Sequence, residues 1–416
     1  MTVHSLSPTG NCKGLKEGQA SYSWCVRNLR TLMVFTGIWP MEPPTLLLNV
    51  SYYYNATTFT LVICGMMAGA ISVMDNYDLL VDNLSINLIF TEIFIKCILI
   101  KIYSKPLSRV LSLMKFDWIS LKGRGPIHGD VLQSENIMLL HANIPRIFFI
   151  AYTALALVAW TATVVAAVSR KSSKMQIDAS NAFPMPSWYP FEMHSTPNYE
   201  MLLTFQVIIG CSIAVSSAAV DSLLVTAVFH VCGQLEILRK YFENLHSSET
   251  ALEETEKKVA AAIKRHSKLI DLCDLIEDCY SQITLSQLLV ASLNVCLSGF
   301  GLLLAIESGN IKVFLKFLLL LIAMLQQILI YSVTGDYLSS KSTAIRSAIY
   351  KMKWYELPPS LSKALMLIAI RAERPLVVTA GKFFPMSLEN FTQVSSHCAK
   401  LQNRVGLVRK LVVTFR

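Results

Sequence analysis

Residues 313–338 read VFLKFLLLLIAMLQQILIYSVTGDYL, and the first 22 of them carry a single charge, Lys316. A helix needs about 20 predominantly apolar residues to cross the hydrocarbon core of a bilayer, so this stretch reads as a membrane span. Runs of the same kind recur along the chain. Hydrophobic residues fill 53% of the 416 positions and charged residues 16%. Mean hydropathy is +0.47, well outside the usual mix of soluble domains. No length remains for a soluble domain of ordinary size, and the expected fold class is all-α, a single integral membrane domain.

Outward from 313–334, taken as the sixth span, the fifth is expected at 284–306, the fourth at 201–230, the third at 146–168, the second at 79–102 and the first at 52–74. The first has no charge, whereas Asp82, Glu92 and Lys96 fall within or beside the second. Small residues in the fourth, Ser212, Ala214, Ser216, Ser217, Ala218 and Ala219, let a neighbouring helix approach closely. An amphipathic, basic connection is expected at 105–145, broken by Gly123-Arg-Gly-Pro126. Pro184, Pro186, Pro190 and Pro197 make 169–200 an irregular loop, because proline locks φ and removes a donor.

Residues 234–298 contain neither Gly nor Pro, so the helices on either side continue beyond the membrane. There Val259, Ile263, His266, Ile270 and Cys273 recur at helical spacing. A solvated linker with chance periodicity is the alternative. After the sixth span the helical pattern runs over 336–357, stops at Pro358-Pro359 and restarts over 361–374, with Leu365, Leu367, Ile368 and Ile370 toward apolar surface. Gly381 and Pro385 then interrupt it, so the seventh element is expected as two half-helices around a break.

Lys and Arg of the connections, with those at the flanking span ends, divide 25 to 5 in favour of the N-terminal tail and the even-numbered connections. The positive-inside rule therefore places the N-terminus in the cytoplasm. The expected organisation is a cytoplasmic segment over 1–45 and a seven-helix transmembrane domain over 46–416, with cytoplasmic anchor helices over about 231–283 and 335–383. Residues 1–30 carry no basic-then-apolar leader, so insertion is expected to use the first internal span. The orientation is the reverse of a G-protein-coupled receptor. That class is further disfavoured by the lack of Asp-Arg-Tyr after the third span, of Asn-Pro-x-x-Tyr near the seventh and of cysteine in 169–200.

The net charge of +9 is dispersed between apolar runs, so no nucleic-acid partner is expected. Ten cysteines without CxxC spacing give neither a disulfide framework nor a zinc site. No Walker loop, GxSxG or HExxH is present, so no enzyme activity and no cofactor are expected. Ionisable residues inside spans are functional candidates by default. Glu92 and Lys96, four apart, can pair on one helix face, as a structural pair or as part of a site. Asp221 is expected to bond a neighbouring helix rather than a ligand.

Tyr331, Gly335, Tyr350, Trp354, Arg371, Pro375-Leu376, Thr379-Ala-Gly381, Ser387-Leu388 and Phe391 follow one another across about sixty positions. In that order they resemble the C-terminal signature of the insect odorant receptors, and Gly37-Ile-Trp-Pro40 resembles the Gly-x-Trp-Pro that often precedes their first span. The resemblance implies a volatile-ligand-gated non-selective cation channel subunit in the plasma membrane of the olfactory sensory neuron dendrite. It implies assembly with a co-receptor into a heterotetramer. The chain resembles the tuning subunit, since it lacks the long insertion in the second cytoplasmic loop.

The family's pocket among the second, third, fourth and sixth helices points to Ile86, Phe90, Trp160, Thr163, Phe205, Ile208, Ser212, Phe317 and Met324 as ligand contacts. Such a pocket needs apolar and aromatic walls with few polar groups. Packing alone accounts for any one of the nine, and only their convergence is informative. A gustatory receptor channel is the alternative reading, with a G-protein-coupled receptor behind it.

The sequence departs from the family after Phe391, where His397, Lys400, Arg404, Arg409, Lys410 and Arg416 enter a segment that the family keeps apolar. Charges at a helix centre cost about 2.5 to 3.5 kcal/mol each on insertion scales, so this tail is not expected to cross as a free helix. A different natural end of the reading frame is the expected explanation. A non-conducting relative is the alternative.

Overall fold

The computed structural model describes residues 8–40, 43–122, 131–172, 183–193, 195–245, 252–352 and 354–393, together with 396 and 400. The described elements are α1 (Pro8–Phe35), α2 (Leu46–Ser72), α3 (Tyr77–Ile102), α4 (Ser104–Lys122), α5 (Val131–Ser172), α6 (Asn198–Asn244), α7 (Leu252–Glu307), α8 (Ile311–Lys351), a 3-10 turn (Trp354–Glu356), α9 (Pro359–Glu373) and a small hairpin of β1 (Thr379–Ala380) and β2 (Phe384–Pro385). The fold is all-α apart from that hairpin.

Five helices, α2, α5, α6, α7 and α8, are long and apolar enough to cross a membrane. α3 has the length, 26 residues, and its central charges point inward, with Lys96 0% and Glu92 2% exposed. At 1.5 Å per residue, the 47 residues of α6 span about 70 Å. The 56 of α7 span about 84 Å, against a hydrocarbon core of about 30 Å. These helices project far beyond any bilayer they cross.

α6 is the central post. Ser216 to Leu235 are buried on every side, as a helix wrapped by others must be, and α5, α8, α7 and α3 pack around it. α5 and α8 turn apolar side chains outward, Leu155, Val158 and Val165 on one and Leu315, Leu319 and Ile322 on the other. Local chemistry sets the helix starts. The side chains of Thr45, Asn76 and Asn310 accept hydrogen bonds from the first free backbone donors of α2, α3 and α8.

The structure corrects several expectations. The polar N-terminal stretch, for which no secondary structure is expected from the sequence, contains a helix: α1 lies against α4, where Gly18 sits so close to Trp118 and Ile119 that a Cβ would fall 2.7 Å from backbone. α5 begins at Val131, well before the expected start at 146, and runs through Pro145; a proline costs one helical donor, and neighbouring helices can compensate for that. In the polar half of α7 the buried stripe is Val259, Ala262, His266, Leu269 and Cys273, while Ile263 is exposed. α9 buries Leu361, Leu365, Ile368 and Ala369, leaving Leu367 and Ile370 outside.

The Gly381–Pro385 break is a tight hairpin, with Gly381 and Lys382 both at φ 66. Residues 401–416, and with them most of the charged tail, lie outside the described residues.

Candidate ligand site and coupling network

Eight of the nine expected contacts fall into two groups. On α5 the Trp160 indole donates to Val207 O at 3.2 Å. Its ring occupies the place a side chain would take at Gly210, where a Cβ would lie 2.1 Å away. Phe205, Ile86 and Phe90 pack on the same main core. Ser212, on α6, donates to Asn55 Oδ1 at 2.6 Å, and Thr163 donates to Ala159 O within its own helix.

The second group lies where α7 meets α8. Phe317 is packed against Gly301, and Met324 lies against Val295. Ile89 packs against both the main core and the Val295–Met324 cluster. Ile208 is 57% exposed, on the outside of the chain.

One end of the bundle is closed by residues 183–193, a strap without helix or strand whose Phe183, Met185, Ser187 and Met193 are buried. Gln206 of α6 holds it by accepting from Met185 N (3.1 Å) and donating to Met185 O (3.3 Å) and Ser187 Oγ (2.9 Å). Asn83 of α3 donates to Pro186 O at 2.8 Å, and Trp188 N donates to Gly65 O of α2 at 2.8 Å. Gly65 admits the Tyr189 ring, which a Cβ there would approach to 2.7 Å. Three prolines forbid regular structure here, so side chains of α3 and α6 and a backbone carbonyl of α2 satisfy the strap's backbone instead.

Deeper in the bundle, Lys96 of α3 is fully buried at the centre of a polar network. Its Nζ lies 2.7 Å from Glu92 Oε1, off the hydrogen-bond direction, and 2.8 Å from Asp221 Oδ1 of α6. It also donates to Gln287 of α7. Tyr331 of α8 and Tyr152 of α5 donate to the two oxygens of Asp221 at 2.6 and 3.2 Å. Gln327 donates to Tyr152 OH at 3.0 Å and accepts from Gln287 at 2.9 Å. One cation and two carboxylates thus tie five helices together. Low dielectric makes such a set strong when complete and costly when broken.

Toward the opposite end, outside the apolar runs, Asp117 of α4 accepts from His230 Nε2 of α6 (3.1 Å) and Arg265 Nη1 of α7 (2.8 Å). Burial alone would raise its pKa, but the hydrogen bonds and charge of His230 and Arg265 outweigh it and hold the carboxyl at about 2. Glu236 is likewise held at about 2, first by Arg239 and then, against burial, by Lys341. No group of three or more His, Cys, Asp or Glu is arranged to hold a metal among the described residues.

Sequence reasoning found the Glu92–Lys96 pair but missed Gln206, Tyr152, Gln287, Gln327 and the Asp117 clasp. The available signal was a polar side chain inside an apolar run, as at Gln287 and Gln327.

A bundle of apolar helices around a buried post, with a strapped end and an internal charge network, defines a polytopic α-helical membrane protein. The family model described as 7tm odorant receptor matches residues 76–398, and the chain belongs to that family. Its relatives in Drosophila melanogaster include odorant receptor 67c, 23% identical over 50% of this chain and 51% of its own length. Odorant receptor 13a is 24% identical over 53% and 56%, and odorant receptor 10a is 30% identical over 41% of each chain. The chain spans about half the length of these curated relatives. The olfactory receptor OR5 of Machilis hrabei, solved in complex with eugenol, shares the fold with a TM-score of 0.71 at 14% identity, covering 94% of this chain and 99% of that one.

Proposed function

We propose that the chain is the tuning subunit of an odorant receptor. A small volatile organic ligand binding among α3, α5, α6 and α8 opens a non-selective cation channel, formed as a heterotetramer with a shared co-receptor in the plasma membrane of an olfactory sensory neuron dendrite. Its N-terminal segment, 1–45, lies in the cytoplasm with the helix extensions at about 231–283 and 335–383, and 46–416 form a seven-span domain. The observation that carries the reading is the Lys96 network. It joins the helices of the expected pocket to one another and to α7, so a ligand that spreads any of them is felt by the rest.

A ligand shifts a closed–open equilibrium only by binding the two states unequally. Trp160, Phe205, Ile86 and Phe90 supply one wall, Phe317 and Met324 the other, and Ser212 and Thr163 support the α5–α6 side. Ile208 would reach a ligand only after turning inward. That a family structure holds eugenol favours a ligand of similar size, aromatic or aliphatic.

The test is whole-cell recording from cells expressing this chain with a co-receptor, exposed to a broad volatile panel. An inward current is expected from some volatiles, and Trp160→Ala should shift their half-maximal concentrations by about tenfold or more, the loss of roughly 1.4 kcal/mol of contact. Silence toward every volatile together with responses to sugars or bitter solutes would refute the reading in favour of a gustatory channel.

A further inference from the structure

In α7, Asn294 and Ser298 are 0% exposed, yet Nδ2 and Oδ1 of Asn294 and Oγ of Ser298 have no hydrogen-bond partner among the described residues. Buried polar groups are almost always paired, and an unmet one costs about 1–3 kcal/mol. Register fixes where these atoms point. Gln287 touches Lys96 of α3 and Gln327 of α8, and Asn294 and Ser298 lie two and three turns farther along the same face of α7, toward the strap end. Helix α3 runs antiparallel there and brings Ile89 to the seam. α8 brings Met324 opposite Val295 and Phe317 opposite Gly301.

We propose that Asn294 and Ser298 form the polar anchor for a hydroxyl-bearing volatile, an alcohol or phenol, held between α3, α7 and α8. The inference rests on the odorant-receptor reading and adds α7, which the expected pocket did not include. Asn294 presents an unmet donor and an unmet acceptor side by side. One hydroxyl can donate to Oδ1 while accepting from Nδ2 or from Ser298, whereas a carbonyl can only accept and a hydrocarbon does neither. The ligand's alkyl or aryl part meets Ile89, Val295 and Met324. Met324, unbranched with a flexible thioether chain, can vacate its place with little strain.

The experiment is thermal melting of the full chain in lipid nanodiscs against rising 1-heptanol, 2-heptanone and heptane, for the wild type, Asn294→Leu and Ser298→Ala. Heptanol should half-saturate the stabilisation of the wild type at about tenfold lower concentration than that of Asn294→Leu, the worth of one buried hydrogen bond. Ser298→Ala should cost about threefold, and heptanone and heptane should change by less than about threefold in either variant. Without ligand, Asn294→Leu should melt higher than the wild type, because an orphaned amide is gone.

If Asn294→Leu does not fold, Ser298→Ala decides alone. Equal heptanol response in wild type and variants, an equal loss for heptanone, or no stabilisation of the wild type by heptanol overturns the proposal and leaves the seam to an ordered water. Currents recorded in parallel keep the two claims apart. Volatile-evoked current without Asn294 dependence removes this anchor only, while Asn294-dependent heptanol binding without any current removes the channel only.

Discussion

Lys96 is the residue on which most of the interior depends. Replacing it by Met leaves Glu92 and Asp221 buried without a counter-charge, which should cost about 3–5 kcal/mol and appear as a lowered melting temperature in detergent; an unchanged melt would show that the carboxylates are protonated or hydrated. Replacing Glu92, Lys96 and Asp221 together by Leu should restore much of that stability, since apolar substitutes for buried ion sets are often neutral or better. If the network couples ligand to gate, the triple variant should still reach the surface and lose ligand-evoked current. Normal currents from it would reduce the network to packing.

Half of this was legible in the sequence. Glu92 and Lys96 are neighbours by helical spacing alone, but Asp221 is 125 residues away from Lys96, and no local rule brings it there. Gly37 illustrates the same limit. The Gly-Ile-Trp-Pro motif was visible, but not its cause: φ of 78 and a missing Cβ that would lie 2.2 Å from Tyr52 N.

Among the elements, the strap is the one held most by side chains. Gln206→Leu removes three of its hydrogen bonds at once and should free it. Limited chymotrypsin digestion of detergent-solubilised protein should then cut near Trp188 and Tyr189 well before it cuts the wild type. Identical digestion rates would mean that apolar burial of Phe183 and Met185 suffices.

His266 on α7 and the Asp117 clasp of α4, α6 and α7 give a pH dependence. Burial, with a smaller push from the Arg371 charge, lowers His266 to about 4, against about 6.5 unfolded. Between those values the unfolded chain binds more protons, so stability falls as pH drops through that window. Asp117, held at about 2 against about 3.9 unfolded, contributes stability that is present above pH 4 and lost as pH falls toward 2. Melting temperature should therefore decline in two stages below pH 6.5, and His266→Gln should flatten the first alone. A first stage that persists in that variant would assign it to another group.

Element existence was readable wherever apolar runs or proline and glycine punctuate the chain. The faces of α1 and α9 were not. α1 buries Val26, Leu29 and Met33 among many polar residues, and α9 is apolar on both sides, so periodicity could not choose which side packs.

At the scale of the molecule, the spans could be read because lipid imposes length and polarity on the sequence directly. The pocket could not, because which aromatic meets which is decided by packing between distant helices: Trp160 against Gly210 and Phe317 against Gly301. The basic-residue count predicts a cytoplasmic N-terminus, so an epitope at Met1 should be reached by antibody only in permeabilised cells.

On the proposed function, the chain forms part of the channel its ligand opens, without a diffusible relay. Outside-out patches from cells co-expressing a co-receptor, bathed on both faces in nucleotide-free solution, test it most directly. The account predicts unitary cation openings within milliseconds of applying an active volatile, diminished in the Trp160→Ala variant. Responses that vanish on excision, or that return only with guanine nucleotides, would contradict it.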